Sequence, residues 1–250
     1  MTNEPFDERR ATLDEYDYSP ILDELDALGK TGVGTYEVFR DFVDVVLTTL
    51  DTDATPPTEI FEKYEELAST DIDAGKRFSA ALEALLEAYN DVNHDVIGTV
   101  YERLEIQNES SGQYFTPQNV TELMADILTA ADTDSAADST DDDAMARLTM
   151  TDSDGDGDEP GTVHDPACGT GRTLIDAVLA ADETPVVTGV DKSVIAAKMT
   201  AINCAVMNVE AHIWHGDSLT LDMHQRWDIT PTPMQLGHVS RTRIPDESSN

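Results

Sequence analysis

Thr162-Val163-His164-Asp165-Pro166-Ala167-Cys168-Gly169-Thr170-Gly171-Arg172 is the stretch that decides the fold of this chain. Thr162 to Asp165 reads as a short strand and Arg172 to Ala181 as a helix, so both glycines sit at a strand-to-helix junction. Gly169 and Gly171 let the backbone turn tightly and approach a ligand, whose polar groups can meet the amides at the helix start. A phosphate loop requires Gly-Lys-Ser/Thr, whereas here Gly171 is followed by Arg172-Thr173 without the preceding spacing. A dinucleotide fingerprint requires a third glycine, and Leu174 occupies that position. A loop that opens with an acid suits an ammonium group better than a pyrophosphate.

Downstream, Pro185 to Asp191 reads as a second strand, Lys192 to Asn208 as a helix, and Ala211 to His215 as a third strand. Trp227-Asp228-Ile229 opens a fourth, and this alternation predicts a parallel α/β sheet. Asp191 ends the second strand, 26 residues after Asp165, where a carboxylate can accept both hydroxyls of a ribose. Asp217 follows Gly216 after the third strand, positioned to accept from the amino group of an adenine ring. Three acids at successive strand ends line the crevice where open α/β sheets bind ligands. Together they fit S-adenosylmethionine, with one acid each for the methionine ammonium, the ribose and the adenine. Asp191 and Asp217 also suit helix N-caps, and about a fifth of the chain is acidic.

Upstream the pattern is helical. Ile21, Leu22, Leu25 and Leu28 suggest a short helix, and Phe39, Val43, Val46, Leu47 and Leu50 recur at helical spacing from Tyr36 to Leu50. A third helix starts near Glu59, with Thr58 as its N-cap. Phe78, Ala81, Leu82, Leu85, Leu86 and Tyr89 give the cleanest amphipathic stripe. Another helix runs from about His94 to Ile106, and a sixth follows Pro117 with Val120, Leu123, Met124, Ile127 and Leu128 on one face. Residues 132–159 then carry 11 acids and one base, a solvated low-complexity loop. Its Asp152, Asp154, Asp156 and Gly157 imitate the start of a calcium loop, but Val163 stands at the position that requires a bidentate Glu.

Gly112-Gln113-Tyr114-Phe115-Thr116-Pro117 followed by a helix, then Asp-Pro-Ala-Cys-Gly-Thr-Gly-Arg, resembles the adenine-N6 DNA methylase family, above all the modification subunits of type I restriction systems. The resemblance covers roughly residues 92–221. It implies an α/β, Rossmann-like methyltransferase sheet, incomplete here, preceded by an all-helical N-terminal domain. It implies domains at 1–131 (helical, ending in the Gly112–Pro117 motif and its helix), 132–159 (acidic loop), 160–230 (cofactor-binding α/β) and 231–250 (tail). It further implies that Tyr114, Phe115, Thr116 and Pro117 contact S-adenosylmethionine, with Phe115 packed on it and Thr116 holding the methionine end. On the same resemblance Asp165, Pro166, Ala167, Cys168, Gly169 and Gly171 are expected to form the cofactor loop, with Asp191 on the ribose and Asp217 on the adenine, and Lys192 and Ser218 are expected to contact the cofactor as well.

The family aligns its target amino group with Asn/Asp/Ser-Pro-Pro-aromatic after the fourth strand. The corresponding stretch here, Trp227-Asp228-Ile229-Thr230-Pro231-Thr232-Pro233-Met234, lacks the polar residue, the paired prolines and the aromatic. Thr55-Pro56-Pro57-Thr58 fails at both flanks. No catalytic residue is therefore assigned. The expectation is an adenine-specific DNA methyltransferase acting with partner subunits, the alternative a cofactor-binding assembly protein derived from one. A sheet stopping after three or four strands would leave a central strand as an edge, to be covered by the tail, the helical half or another chain.

Composition bounds the rest. No apolar run is long enough to span a membrane. The acidic N-terminus lacks the pattern of a secretory signal, so the cytoplasm is the expected compartment. Cys168 and Cys204 make no disulfide framework, no Cys/His cluster has zinc spacing, and no metal is expected. The 51 acids against 15 bases give a net charge of −36, and only 5 of the bases are lysine. That balance fits a haloarchaeal proteome adapted to molar salt and offers no basic stripe for DNA, so a specificity subunit or another methylase chain is the expected source of DNA contacts. At about 1 M salt the screening length is roughly 3 Å, against about 30 Å at 0.01 M. Thermal melts followed by circular dichroism should therefore lose midpoint and cooperativity as KCl is dialysed away. Equal transitions in both buffers contradict the halophilic reading.

Overall fold

The computed structural model describes residues 11–51, 53–68, 72–104, 161–233 and 236–244. The Gly112–Pro117 motif, its helix and the acidic loop lie outside the described residues. The chain divides into two compact units, residues 1–42 with 57–107 and residues 43–56 with 108–250. No helix among the described residues is long and apolar enough to cross a membrane.

The first unit is helical: α1 (Ser19–Gly29), the first half of α2 (Thr35–Leu50), α3 (Thr58–Leu67), α4 (Ala74–Val92) and α5 (Val96–Arg103). Its axis is α4, whose buried stripe of Phe78, Ala81, Leu85, Ala88, Tyr89 and Val92 extends the expected one, while Leu82 and Leu86 lie half-buried on its flank. Ile21, Leu25 and Leu28 of α1 are buried, and α1 packs on α4. Phe42 stacks on Phe78 at 6.5 Å between ring centroids, and Tyr64 meets the same ring edge-on at 5.4 Å. Asp73 caps α4 by accepting from Lys76 N–H, and Asn93 ends it at φ 53°. Asp95 then caps α5 by accepting from Gly98 N–H at 2.9 Å, so that helix begins at Val96 and not at His94. At α3 the capping position is Pro57, and Thr58, expected as the cap, is the first helical residue.

The second unit holds a five-stranded mixed sheet in the order β1-β2-β3-β4-β5: β1 (Thr162–Asp165), β2 (Val186–Asp191), β3 (Ala211–Asp217), β4 (Asp222–Thr230) and β5 (His238–Arg243). The first three are parallel, linked by α6 (Arg172–Ala180) and α7 (Val194–Val206). The sheet then departs from the expected parallel pattern, because β4 pairs antiparallel with β3 and β5 antiparallel with β4. Only Ser218 to Leu221 separates β3 from β4, whereas a parallel crossover requires a dozen or more residues. Gly216 permits this tight return, since a Cβ there would lie 2.5 Å from the Asp222 carbonyl oxygen.

Two consequences differ from the sequence expectation. The segment read as a tail contributes β5, whose Val239 is buried. That strand extends the sheet beyond β4, and among the described residues β1 pairs with β2 alone. Most of α7 is buried as it crosses the strands from β2 to β5, as befits a helix apolar nearly all round.

In the first unit Asp41 is buried and accepts from Tyr64 Oη at 2.8 Å and from Lys63. Tyr64→Phe removes one donor from a buried carboxylate and should cost about 1–3 kcal/mol, measured as a lower denaturant midpoint at unchanged slope.

Candidate site at the strand ends

Asp165, Asp191 and Asp217 are the last residues of β1, β2 and β3. Because these strands are parallel, all three acids lie at one end of the sheet. From Asp165 the chain enters a turn, with the carboxylate Oδ1 accepting from Ala167 N–H at 2.9 Å. Cys168 N–H donates to the Val190 carbonyl at 2.9 Å, and Gly171 N–H returns to the Cys168 carbonyl at 2.7 Å. The first central residue of this four-residue turn, Gly169, has φ 57°, and Gly171 has φ 88° as it enters α6. Side chains rarely adopt either conformation, which accounts for a glycine at each.

The loop is bound to the next strand end. Asp191 Oδ2 accepts from Gly169 N–H at 2.8 Å, and Oδ1 accepts from Ser193 N–H at 2.7 Å. Ser193 in turn is the N-cap of α7. Burial raises the Asp191 carboxyl above its ordinary range, against the lowering pull of these two amides. Asp165 is raised too, again chiefly by burial.

Asp217 has a more open setting. Lys192 Nζ lies 2.9 Å from its Oδ2, while Oδ1 accepts from Leu219 N–H at 2.9 Å. The hydrogen bond from Lys192 holds this carboxyl below its usual value. Ser218 is half-buried in the turn that follows, and Pro166 and Ala167 form the turn after β1. Cys168 is buried inside the packing, with its Sγ 3.1 Å from where a Gly189 Cβ would stand. Its thiol is pushed well up by burial, which makes it a packing group and no nucleophile. Tyr114, Phe115, Thr116 and Pro117 lie outside the described residues.

Two contributors escaped the sequence reading. Thr200 and Asn203 of α7, both fully buried, reach the glycine loop from behind. Their signal was available, as polar residues three apart on an apolar helix. The stretch after β4, by contrast, is remote from the acids. Ile229 pairs with Ala211, the first residue of β3, while Asp222 pairs with Asp217, its last. Thr230-Pro231-Thr232-Pro233 is thus at the opposite end of β3 from Asp217, about 20 Å away at roughly 3.3 Å per residue. It is held there by Asn208, whose amide Nδ2 donates to the Thr232 carbonyl at 3.0 Å and whose Oδ1 accepts from Thr232 N–H at 2.8 Å.

Elsewhere in the second unit, a cavity of about 370 Å³ is lined by Asp44, Thr48, Lys198, Trp227 and Arg241 among others, and includes none of the strand-end acids. Asp51, Asp53 and His238 bring ligand atoms within 4.8 Å of one another. Asp53 is exposed, and among the described residues no second feature of this cluster points to an ion.

Residues 92–236 match the family model of the N-6 DNA methylases, a span that includes the glycine loop and all three strand-end acids. No curated protein and no solved structure matches the chain. With more than half of its residues covered by that match, the chain belongs to the N-6 DNA methylase family.

Proposed function

We propose that the ends of β1, β2 and β3 bind S-adenosylmethionine and that the chain acts as a type I-like modification subunit, methylating N6 of adenine in DNA together with partner chains. The observation that carries this reading is the row of acids at one sheet end, with the glycine loop hydrogen-bonded to the middle one. On this reading the sheet is the Rossmann-like methyltransferase sheet of the resemblance. Asp165 holds the methionine ammonium. Asp191 accepts the ribose hydroxyls, since an ionised carboxylate has about four acceptor sites and two amides occupy two of them. Asp217 accepts from the adenine amino group. Lys192, which is two-thirds exposed, is a loosely held partner that can yield to it. Tyr114, Phe115, Thr116 and Pro117 complete the proposed pocket.

Bound there, S-adenosylmethionine supplies an electrophilic methyl group. The adenine amino nitrogen is a poor nucleophile, its lone pair delocalised into the ring, and needs acceptors to align it. Thr230–Pro233 lies at the wrong end of β3 to provide them. That observation favours the second reading, a cofactor-binding assembly protein, whenever the chain acts alone. The net charge of −36 likewise assigns DNA contacts to a specificity subunit or another methylase chain.

Calorimetry with S-adenosylmethionine in molar KCl should show binding by the wild type and at least about tenfold weaker binding by Asp191→Ala, the loss of one charge-assisted contact. Unchanged affinity removes the ribose assignment. Binding requires the carboxylates ionised, and burial raises the pKa of both Asp165 and Asp191. Affinity should therefore fall on acidification, starting at a higher pH than an ordinary aspartate would give, and Asp191→Asn should flatten part of that fall.

A tritiated-methyl assay on unmethylated DNA separates the two readings. Incorporation is expected only when neighbouring-gene products are added, and none under either condition supports the assembly protein.

A further inference from the structure

The sharpest feature left unused is the contact between α7 and the back of the glycine loop. Thr200 Oγ lies 2.9 Å from the Gly169 carbonyl, 3.3 Å from the Ala196 carbonyl and 3.5 Å from Cys168 Sγ. A hydroxyl has one proton, and a threonine within a helix commonly gives it to the carbonyl four residues back. Here the shorter bond crosses to the loop. Three residues on, Asn203 Nδ2 donates to the Thr170 carbonyl at 2.7 Å. Both side chains have no solvent exposure. The Thr200 methyl also fills the space beside Gly171, where a Cβ would lie 2.8 Å from it.

We propose that Thr200 and Asn203 are positioning residues that fix the peptide planes of the glycine loop for ligand. In a trans peptide the C=O and the following N–H point in opposite directions. Drawing the Gly169 carbonyl toward α7 therefore turns the Thr170 N–H away from it, and the Thr170 carbonyl likewise orients the Gly171 N–H, which closes the turn on Cys168. Asp191 holds the same loop through Gly169 N–H, so Gly169 is gripped by its amide on one side and by its carbonyl on the other. Both grips lead to α7, one through its N-cap Ser193 and one through Thr200 in its second turn. The ligand assignment rests on the reading above, but the positioning role does not.

The test uses the full chain in molar KCl with Thr200→Val, Thr200→Ser, Asn203→Ala and a control, Ile202→Val, equally buried on α7 but with an aliphatic side chain that can give the loop no hydrogen bond. Hydrogen exchange of the ligand-free protein is read at residues 169–172 against β2. Thr200→Val and Asn203→Ala should speed loop exchange about tenfold relative to β2, the scale of one lost buried hydrogen bond. Thr200→Ser and the control should leave the ratio unchanged. Titration with S-adenosylmethionine should show the same order, with serine restoring the affinity that valine loses. Equal exchange in Thr200→Val and wild type overturns the proposal, as does valine binding as tightly as serine. If the wild type itself binds no S-adenosylmethionine, the functional reading fails while the exchange ratio still decides the positioning role. Should Asn203→Ala not fold, Thr200→Val, which keeps the side-chain shape, decides alone.

Discussion

The Asp191 carboxylate spends one oxygen on Gly169 N–H and the other on Ser193 N–H. This single group joins the loop after β1, the end of β2 and the start of α7. Hydrogen bonds to a charged acceptor contribute about 1.5–3 kcal/mol each, more than the exposed ion pairs of the chain can offer. Burial opposes it, raising the carboxyl pKa, and the bonds pull the other way. A site built on such a group is preorganised before any ligand arrives, because the loop is already held in its left-handed glycine conformations. In the proposed function the same residue both braces backbone and receives ligand, which a carboxylate can do and a neutral amide does less well.

How much of this was legible from residues alone depended on whether the signal was local. The glycine loop and the three strand ends were readable, because an acid, a turn and a helix start each leave a mark within a few positions. The α4 stripe was readable for the same reason, and the structure adds Ala88 and Val92 to it. The helix read from about His94 starts two residues later, because Asp95 is the cap that sets its first turn. The grip of Thr200 and Asn203 on the loop joins positions more than thirty apart in sequence, and only the fold brings them together.

The hairpin was missed for a different reason. With strands read as ending at His215 and opening at Trp227, residues 216–226 leave room to cross over, but β3 runs on to Asp217 and β4 starts at Asp222, and the Ser218 to Leu221 that remain are too short for it. Loop length is an arithmetic signal and outranks the strand-helix rhythm that precedes it. β5 was hidden by its composition: in His238-Val-Ser-Arg-Thr-Arg only Val239 is apolar. That is the polar pattern of an edge strand, and it imitates a tail until a neighbour is known to its side.

Topology also bears on the stretch after β4. A loop can serve the strand-end acids only if it leaves the sheet at their end, and an antiparallel strand runs away from that end. The residues after β4 lie at the opposite end of β3 from Asp217, about 20 Å away, and so outside reach of the strand-end acids. What Thr230 to Pro233 do is visible in the packing: Asn208 binds Thr232 in both directions, and Gly237 N–H donates to the Ala205 carbonyl at 2.7 Å, fastening the hairpin connection to the end of α7. Helix α7 thus carries the glycine loop on its second and third turns and the hairpin connection at its C-terminal end. Within the second unit, the glycine-loop geometry and the added strands depend on one buried helix.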